Sequence, residues 1–413
     1  MHGQAKPHLD DDEPAFRWIV LTAAALSLAV AMGQLVNGLS VYFIPLERAF
    51  GWPRAEVALI NTIGLLGVAL GGIVVGRVVD RIGTRRVVLG AAIVFSLSIL
   101  LASRAEALWQ FYVLFGIAGF VGGGAMFAPL IALVGNWFRS GAGLAIGIAS
   151  AGQALGQGAV PFGTAYLIDS LGWRGAMVTQ GLVSLAVLLP MATLLREPPW
   201  RSGGAAAATA PAPPLPGRVA VPWLSLAVLG CCTCMSVPLM HLVPLIQGCG
   251  IPAPAAGGVL FLMLTVAICG RVAFGKLADH IGAIPAYMTA SLWQTVLVYF
   301  FTQMWSLDSF YVLAAIYGFG YAGVMTGLLM TARELTDPTR RASQMGIILA
   351  LAWLGHGLGG YQGGLFYDLT GGYRWTYANA ALAGVFNLVL VGALYWRVHR
   401  RGRPLLTPSL SRA

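Results

Sequence analysis

Residues 76–86 read Gly-Arg-Val-Val-Asp-Arg-Ile-Gly-Thr-Arg-Arg, and residues 275–282 read Gly-Lys-Leu-Ala-Asp-His-Ile-Gly. Gly76, Asp80 and Gly83 recur 199 residues later as Gly275, Asp279 and Gly282. The same offset carries Pro45 onto Pro244 and Phe111-Tyr112-Val113-Leu114 onto the identical Phe310-Tyr311-Val312-Leu313. It also carries Gly147 and Gly156 onto Gly346 and Gly355, and Asp169 onto Asp368. One register held over such a length means that a single unit is written twice.

Composition says what the unit is. Of 413 residues, 58% are hydrophobic and 10% charged, and the mean hydropathy is +0.77. This is the profile of an integral membrane protein. At about 20 apolar residues per crossing, the chain holds many helices. Apolar runs at 18–46, 55–78, 86–103, 107–134, 142–168, 173–195, 220–247, 254–277, 284–304, 308–332, 343–367 and 375–396 give twelve. An even number per copy makes the repeats parallel rather than inverted. The expected fold is therefore an all-α membrane protein of two six-helix bundles.

The expected division is a cytoplasmic tail at 1–16, a first bundle at 17–195, a linker at 196–219, a second bundle at 220–396 and a basic cytoplasmic tail at 397–413. The linker, REPPWRSGGAAAATAPAPPLPGRV, is rich in Ala, Pro and Gly, as a mobile connection is. The acidic head, Asp10 to Glu13, precedes an apolar run far longer than a signal-peptide h-region.

The net charge of +10 is spread between helices rather than along one face, and no nucleic-acid motif accompanies it. With both termini inside, 19 Lys/Arg fall on the cytoplasmic side. Outside lie Arg48, Arg54, Arg104, Arg174 and Arg374. That asymmetry fixes the orientation. Few lysines beside many arginines, with abundant Ala and Gly, point to a bacterial chain and hence to the inner cell membrane. Cys231, Cys232, Cys234, Cys249 and Cys269 have no metal-ligand spacing and read as small packing residues. No nucleophile–base constellation, metal cluster or nucleotide loop is present, so neither enzyme chemistry nor a cofactor is expected.

One residue violates the apolar pattern. Arg271 sits inside the run Leu260–Gly282, with no acid on its helix until Asp279. A charge in a spanning helix costs roughly 2.5–3.5 kcal/mol on insertion scales and is tolerated facing a wet cavity or an anion. Its repeat equivalent is Gly72, so the cation is an addition to the second half. All 15 acids fall in tails, loops or at helix ends, which leaves His241 and His356 as the titratable groups within spans able to take a proton. Their repeat equivalents, Tyr42 and Gln157, are also hydrogen-bonding groups, as expected where two bundles face one cavity. Gln153 and Gln157 share one helix face. Asn37, Phe127 and Tyr321, with Gln34, complete the expected lining.

The loop at Gly76, Asp80, Arg81, Gly83 and Arg85, echoed by Gly275 and Asp279, resembles the signature between the second and third helices of the major facilitator superfamily. Its glycines permit a tight turn and close helix approach, and Asp80 can cap a helix end or pair with basic groups across the bundle interface, which suits a gate. Within that superfamily the chain resembles bacterial members of the monocarboxylate transporter and oxalate–formate exchanger group. The resemblance rests on Trp137-Phe138, on Leu144 to Gly152 with Gly156 beyond, and on Gly270-Arg271 followed by Gly275. Two positions depart: the basic pair often found before span five is Gly141-Ala142 here, and the acid that animal members carry one turn before the arginine is Ala267.

The resemblance implies a secondary transporter that moves a small monocarboxylate of the lactate or pyruvate type with a proton, as a monomer in the bilayer. Arg271 is expected to bind the carboxylate in a forked pair of hydrogen bonds, and His241 or His356 to take the proton. Oxalate exchangers of the group carry a lysine in span eleven, where this chain offers His356, so a monoanion is favoured. An organic-anion exchanger is the alternative, and a nutrient sensor on a carrier scaffold a third reading.

Overall fold

The computed structural model describes residues 15–138, 142–198, 214–336 and 341–401. Most of the expected tails and of the linker lie outside the described residues, as do Gly141 and the Asp80 side chain. Among the described residues the chain is helical, without a strand.

In the first half, α1 (Phe16–Met32) continues through a wide π-helical turn, Gly33–Asn37, and a tight 3-10 turn, Gly38–Val41, into α2 (Phe43–Phe50). There follow α3 (Arg54–Ile82), α4 (Thr84–Ala102), α5 (Leu108–Ile117), α6 (Gly124–Trp137) and α7 (Ala142–Leu194). A second π-helical stretch, Ala118–Gly123, joins α5 to α6. The second half runs α8 (Gly217–Gly248), α9 (Ala253–Ile281), α10 (Ala283–Val298), α11 (Leu307–Leu335), α12 (Arg341–Thr370) and α13 (Arg374–Arg401). By length and hydropathy, nine segments among the described residues can cross a membrane. One of them, Ala145–Leu194, is two helices end to end, broken at Gly172 (φ 70°, ψ 171°). Residues such as Leu70, Val312, Leu382 and Val389 expose their apolar side chains on the outside of the bundles, where lipid covers them.

The doubling read from the sequence is built into the backbone. The positive-φ glycines form three pairs 199 residues apart: Gly51 with Gly250, Gly83 with Gly282, and Gly172 with Gly371. At Gly83 (φ 88°) and Gly282 (φ 91°) one helix ends and the next begins on a single residue, a corner that a Cβ would strain. Helices α3 and α9 match end for end at that offset, and each follows a proline, Pro53 or Pro252.

Packing repeats as well. A Cβ on Gly71 would strike the Phe120 carbonyl, and one on Gly270 the equivalent Phe319 carbonyl. A Cβ on Gly119 would strike Gly64, and one on Gly318 would strike Met263. These are crossings of backbone on backbone, the contact that brings helices together where apolar side chains gain nothing by leaving lipid.

The two π-helical turns break the symmetry, since their counterparts, 232–236 and 317–322, stay α-helical within α8 and α11. A π turn displaces carbonyls from the regular ladder. At the first one Asn61 of α3 supplies the missing donor, its Nδ2 lying 2.6 Å from the Leu35 carbonyl and 3.2 Å from that of Val36.

The halves meet mainly through α3 with α12 and α7 with α9. The charge count expects the end that carries the described termini to be the inner one; several contacts between halves lie toward the other, outer end. There Thr62 Oγ1 donates to the Gly357 carbonyl (2.8 Å), and Phe162 stacks on Phe261 (5.4 Å between centroids, 20° between planes). Toward the inner end α3 and α12 diverge around a cavity of about 550 Å³, lined by Gly72, Phe127 and Trp353 among others.

Two stability predictions follow from the packing. Gly119→Ala and Gly318→Ala each cost about 1–3 kcal/mol through overpacking, whereas Gly72→Ala, whose Cβ meets nothing within 4 Å, is neutral or stabilising by up to about 1 kcal/mol. Asn61→Ala strips two buried carbonyls of their donor and costs about 1–3 kcal/mol. Thermal unfolding of the detergent-purified protein measures all four; equal melting of Gly318→Ala and Gly72→Ala contradicts the first assignment.

Candidate functional site

Arg271 lies 18 residues along α9 from its outer end, roughly 27 Å at 1.5 Å per residue. Its side chain turns toward the other half of the molecule. Nη1 donates to the Ser150 carbonyl of α7 at 3.2 Å, and Nε is buried without a hydrogen-bond partner. Among the described residues no carboxylate pairs with it. The guanidinium therefore bridges the halves on a single weak acceptor, with donors left over. Tyr321 of α11 is buried within electrostatic reach of Arg271, its ring stacked on Tyr317 (6.2 Å, 22°).

The α7 face opposite Arg271 continues the polar strip. Gln153 and Gln157, both buried, follow Ser150 at helical spacing. The Gln157 carbonyl accepts from Asn37 Nδ2 at 3.1 Å, and Asn37 Oδ1 is left buried without a partner. Gln34 turns away from this strip and donates to Ser184 at 2.6 Å inside the first half.

A second wall lies on the α3–α12 side. Phe127 meets Trp353 edge to face (5.4 Å, 82°), and Trp353 in turn lies against His356 (5.6 Å). His356 is buried, with Nδ1 unpartnered. Trp353 was absent from the sequence candidates; an aromatic in an apolar span gives no signal until its neighbours are known.

His241 stands elsewhere. It is seven residues from the outer end of α8, roughly 10 Å deep, so it shares no layer with Arg271. Its ring is fully buried between Phe43 (5.2 Å) and Tyr373 (5.4 Å), and Nε2 lies 2.7 Å from the Gly360 carbonyl. The structure thus brings Arg271 together with Ser150 and Tyr321, and Phe127 together with Trp353 and His356, but not Arg271 with His241.

At the loop expected to gate, Gly83 and Gly282 form the corners already described, and Arg81, Arg85 and Asp279 are exposed. Gly275 lies in α9 with the Thr326 methyl beside it. The first copy is tied down by a residue that the sequence did not single out: Glu197 accepts from Thr84 N (3.1 Å) and Thr84 Oγ1 (2.6 Å), capping α4.

Comparison with known proteins agrees with this architecture. The model of the Major Facilitator Superfamily matches residues 23–292 and 274–409. Monocarboxylate transporter 13 of Rattus norvegicus is 29% identical over 403 residues, covering 92% of this chain and 89% of that protein. A bacterial homologue of the human lysosomal transporter Spinster, solved inward-facing and occupied, superposes with a TM-score of 0.71 at 18% identity, over 94% of this chain and 98% of that one. The nucleoside transporter NupG superposes with a TM-score of 0.66 at 12% identity, over 94% of this chain and 100% of that one. Matched along nearly its whole length and folded as a doubled helical bundle, the chain belongs to the Major Facilitator Superfamily.

Proposed function

We propose that the protein is a secondary transporter, without enzymatic activity, that carries a small monocarboxylate of the lactate or pyruvate type with a proton. It works as a monomer in the inner cell membrane, both termini in the cytoplasm, by rocking bundles 17–195 and 220–396 about the linker 196–219. The observation that carries this reading is Arg271, a guanidinium deep in a spanning helix that among the described residues makes one hydrogen bond, to a carbonyl at 3.2 Å, and leaves Nε buried without a partner. A carboxylate offers such a group two charge-assisted bonds in a fork, displacing the Ser150 contact. Gln153, Gln157, Asn37 and Tyr321 would serve as its polar surround, and Phe127 as an apolar wall. The naming of the rat relative as a monocarboxylate transporter supports the cargo class.

Binding neutralises a cation held between the halves and so favours closure around the cargo. The proton rides on His356, at a depth comparable with Arg271, while His241 relays it at the outer mouth. Exchange of organic anions is the second reading. It is favoured by one observation: the fully buried His241 is roughly 17 Å further out than Arg271 along the helix axes.

Uptake into proteoliposomes separates the two. Arg271→Ala lowers uptake of labelled lactate or pyruvate by about 10- to 100-fold, and Arg271→Lys recovers at most about a tenth because the fork is lost. Uptake driven by an imposed pH gradient with no internal substrate is the result expected of symport, and a strict need for an internal counter-anion establishes exchange. Undiminished uptake by Arg271→Ala refutes the site itself.

A further inference from the structure

The outer end of the molecule is held by a carboxylate on a helix terminus. Asp368, near the end of α12, accepts from the first two N–H groups of α3: Arg54 N reaches Oδ1 at 3.0 Å and Ala55 N reaches Oδ2 at 2.7 Å. Those N–H groups have no acceptor within their own helix, and the helix dipole favours an anion there. The bond joins the second half to the first. Around it, Arg54 Nη1 donates to Tyr373 Oη at 2.7 Å, Nε donates to Glu47, and the guanidinium lies 3.7 Å from the Tyr367 ring centroid. Burial pushes the Tyr373 phenol up more than Arg54 pulls it down, so it stays a neutral acceptor. Gly364, one turn before Asp368, lets α12 touch the α3 backbone: a Cβ there would sit 2.7 Å from Ala55 N and Arg54 O.

The repeat supplies an internal comparison. Asp169 is the counterpart of Asp368, and Pro252-Ala253 opens α9 as Pro53-Arg54 opens α3. Yet Asp169 is exposed and makes no hydrogen bond to α9 among the described residues. It lines a crevice of about 700 Å³ together with Ala253, Arg48 and Trp173. The same carboxylate and the same helix start touch on one side of the outer face and stand apart on the other.

We infer that Asp368 is the latch of the outer gate: its bond to the start of α3, the bond that Asp169 lacks at the start of α9, sets the balance between outer-closed and outer-open forms. The cargo takes no part in this contact, so the latch is independent of what Arg271 binds.

Reciprocal accessibility tests it. Cys249 and Cys269, the cysteines that are not buried, are first replaced by serine. Thr62→Cys then reports access from outside, beneath the latch, and Gly72→Cys reports access to the inner cavity. A membrane-impermeant maleimide is applied to right-side-out vesicles for the first reporter and to inside-out vesicles for the second. Asp368→Asn raises the labelling rate at 62 by about fivefold or more and lowers that at 72. Gly364→Ala moves both rates in the same directions by wedging the helices apart, and Asp169→Asn moves neither. Unchanged rates in Asp368→Asn overturn the inference. A rise at both reporters overturns it as well, because that is the mark of a loosened fold and not of a shifted balance.

Discussion

Inside a bilayer, apolar side chains gain nothing by turning from lipid to protein, so helices must be drawn together by something else. In this molecule it is contact between backbones. Gly71 against Phe120 and Gly119 against Gly64 bring α3 onto the fourth rod of the first half, and Gly270 against Phe319 and Gly318 against Met263 repeat the crossing in the second. Dispersion over a close backbone contact needs no water to drive it.

The contacts between halves add another kind to the close backbone approach at Gly364. They include hydrogen bonds and ring contacts: Thr62 to Gly357, Arg54 and Ala55 to Asp368, Phe162 on Phe261. Polar contacts of this sort can be exchanged for water one at a time, at little net cost where solvent reaches them. Arg271 belongs to this class, since its bond to Ser150 also spans the halves. A ligand that replaced the carbonyl on this arginine would act on the interface between the halves.

Much of the fold was legible because it was written twice. Gly83 with Gly282 and Gly172 with Gly371 sit at equivalent corners, and a repeated glycine in a changing sequence marks a backbone that has no room for alternatives. Arg271 was legible for the opposite reason: it stands where its equivalent is Gly72 and where charge is costly. The partners were not. Ser150 and Gly360 take part through main-chain carbonyls, which every residue possesses, so no residue type announces them. Depth was hidden too. His241 and Arg271 both lie in spans, but one counts inward from an outer end that the sequence places only within several residues, and the layers separate once α8 and α9 have fixed ends.

The paired irregular turns of span one give the duplication a direction. A wide turn at Gly33–Asn37 followed at once by a tight one at Gly38–Val41 stands where its twin in α8 is regular. Because Asn61 binds the carbonyls of that irregular turn, the copies are no longer interchangeable parts: a molecule spliced from two first halves would inherit the turn twice and the Arg271 guanidinium not at all. The frame is one unit repeated in the same sense, and differences at a few residues give it a front and a back.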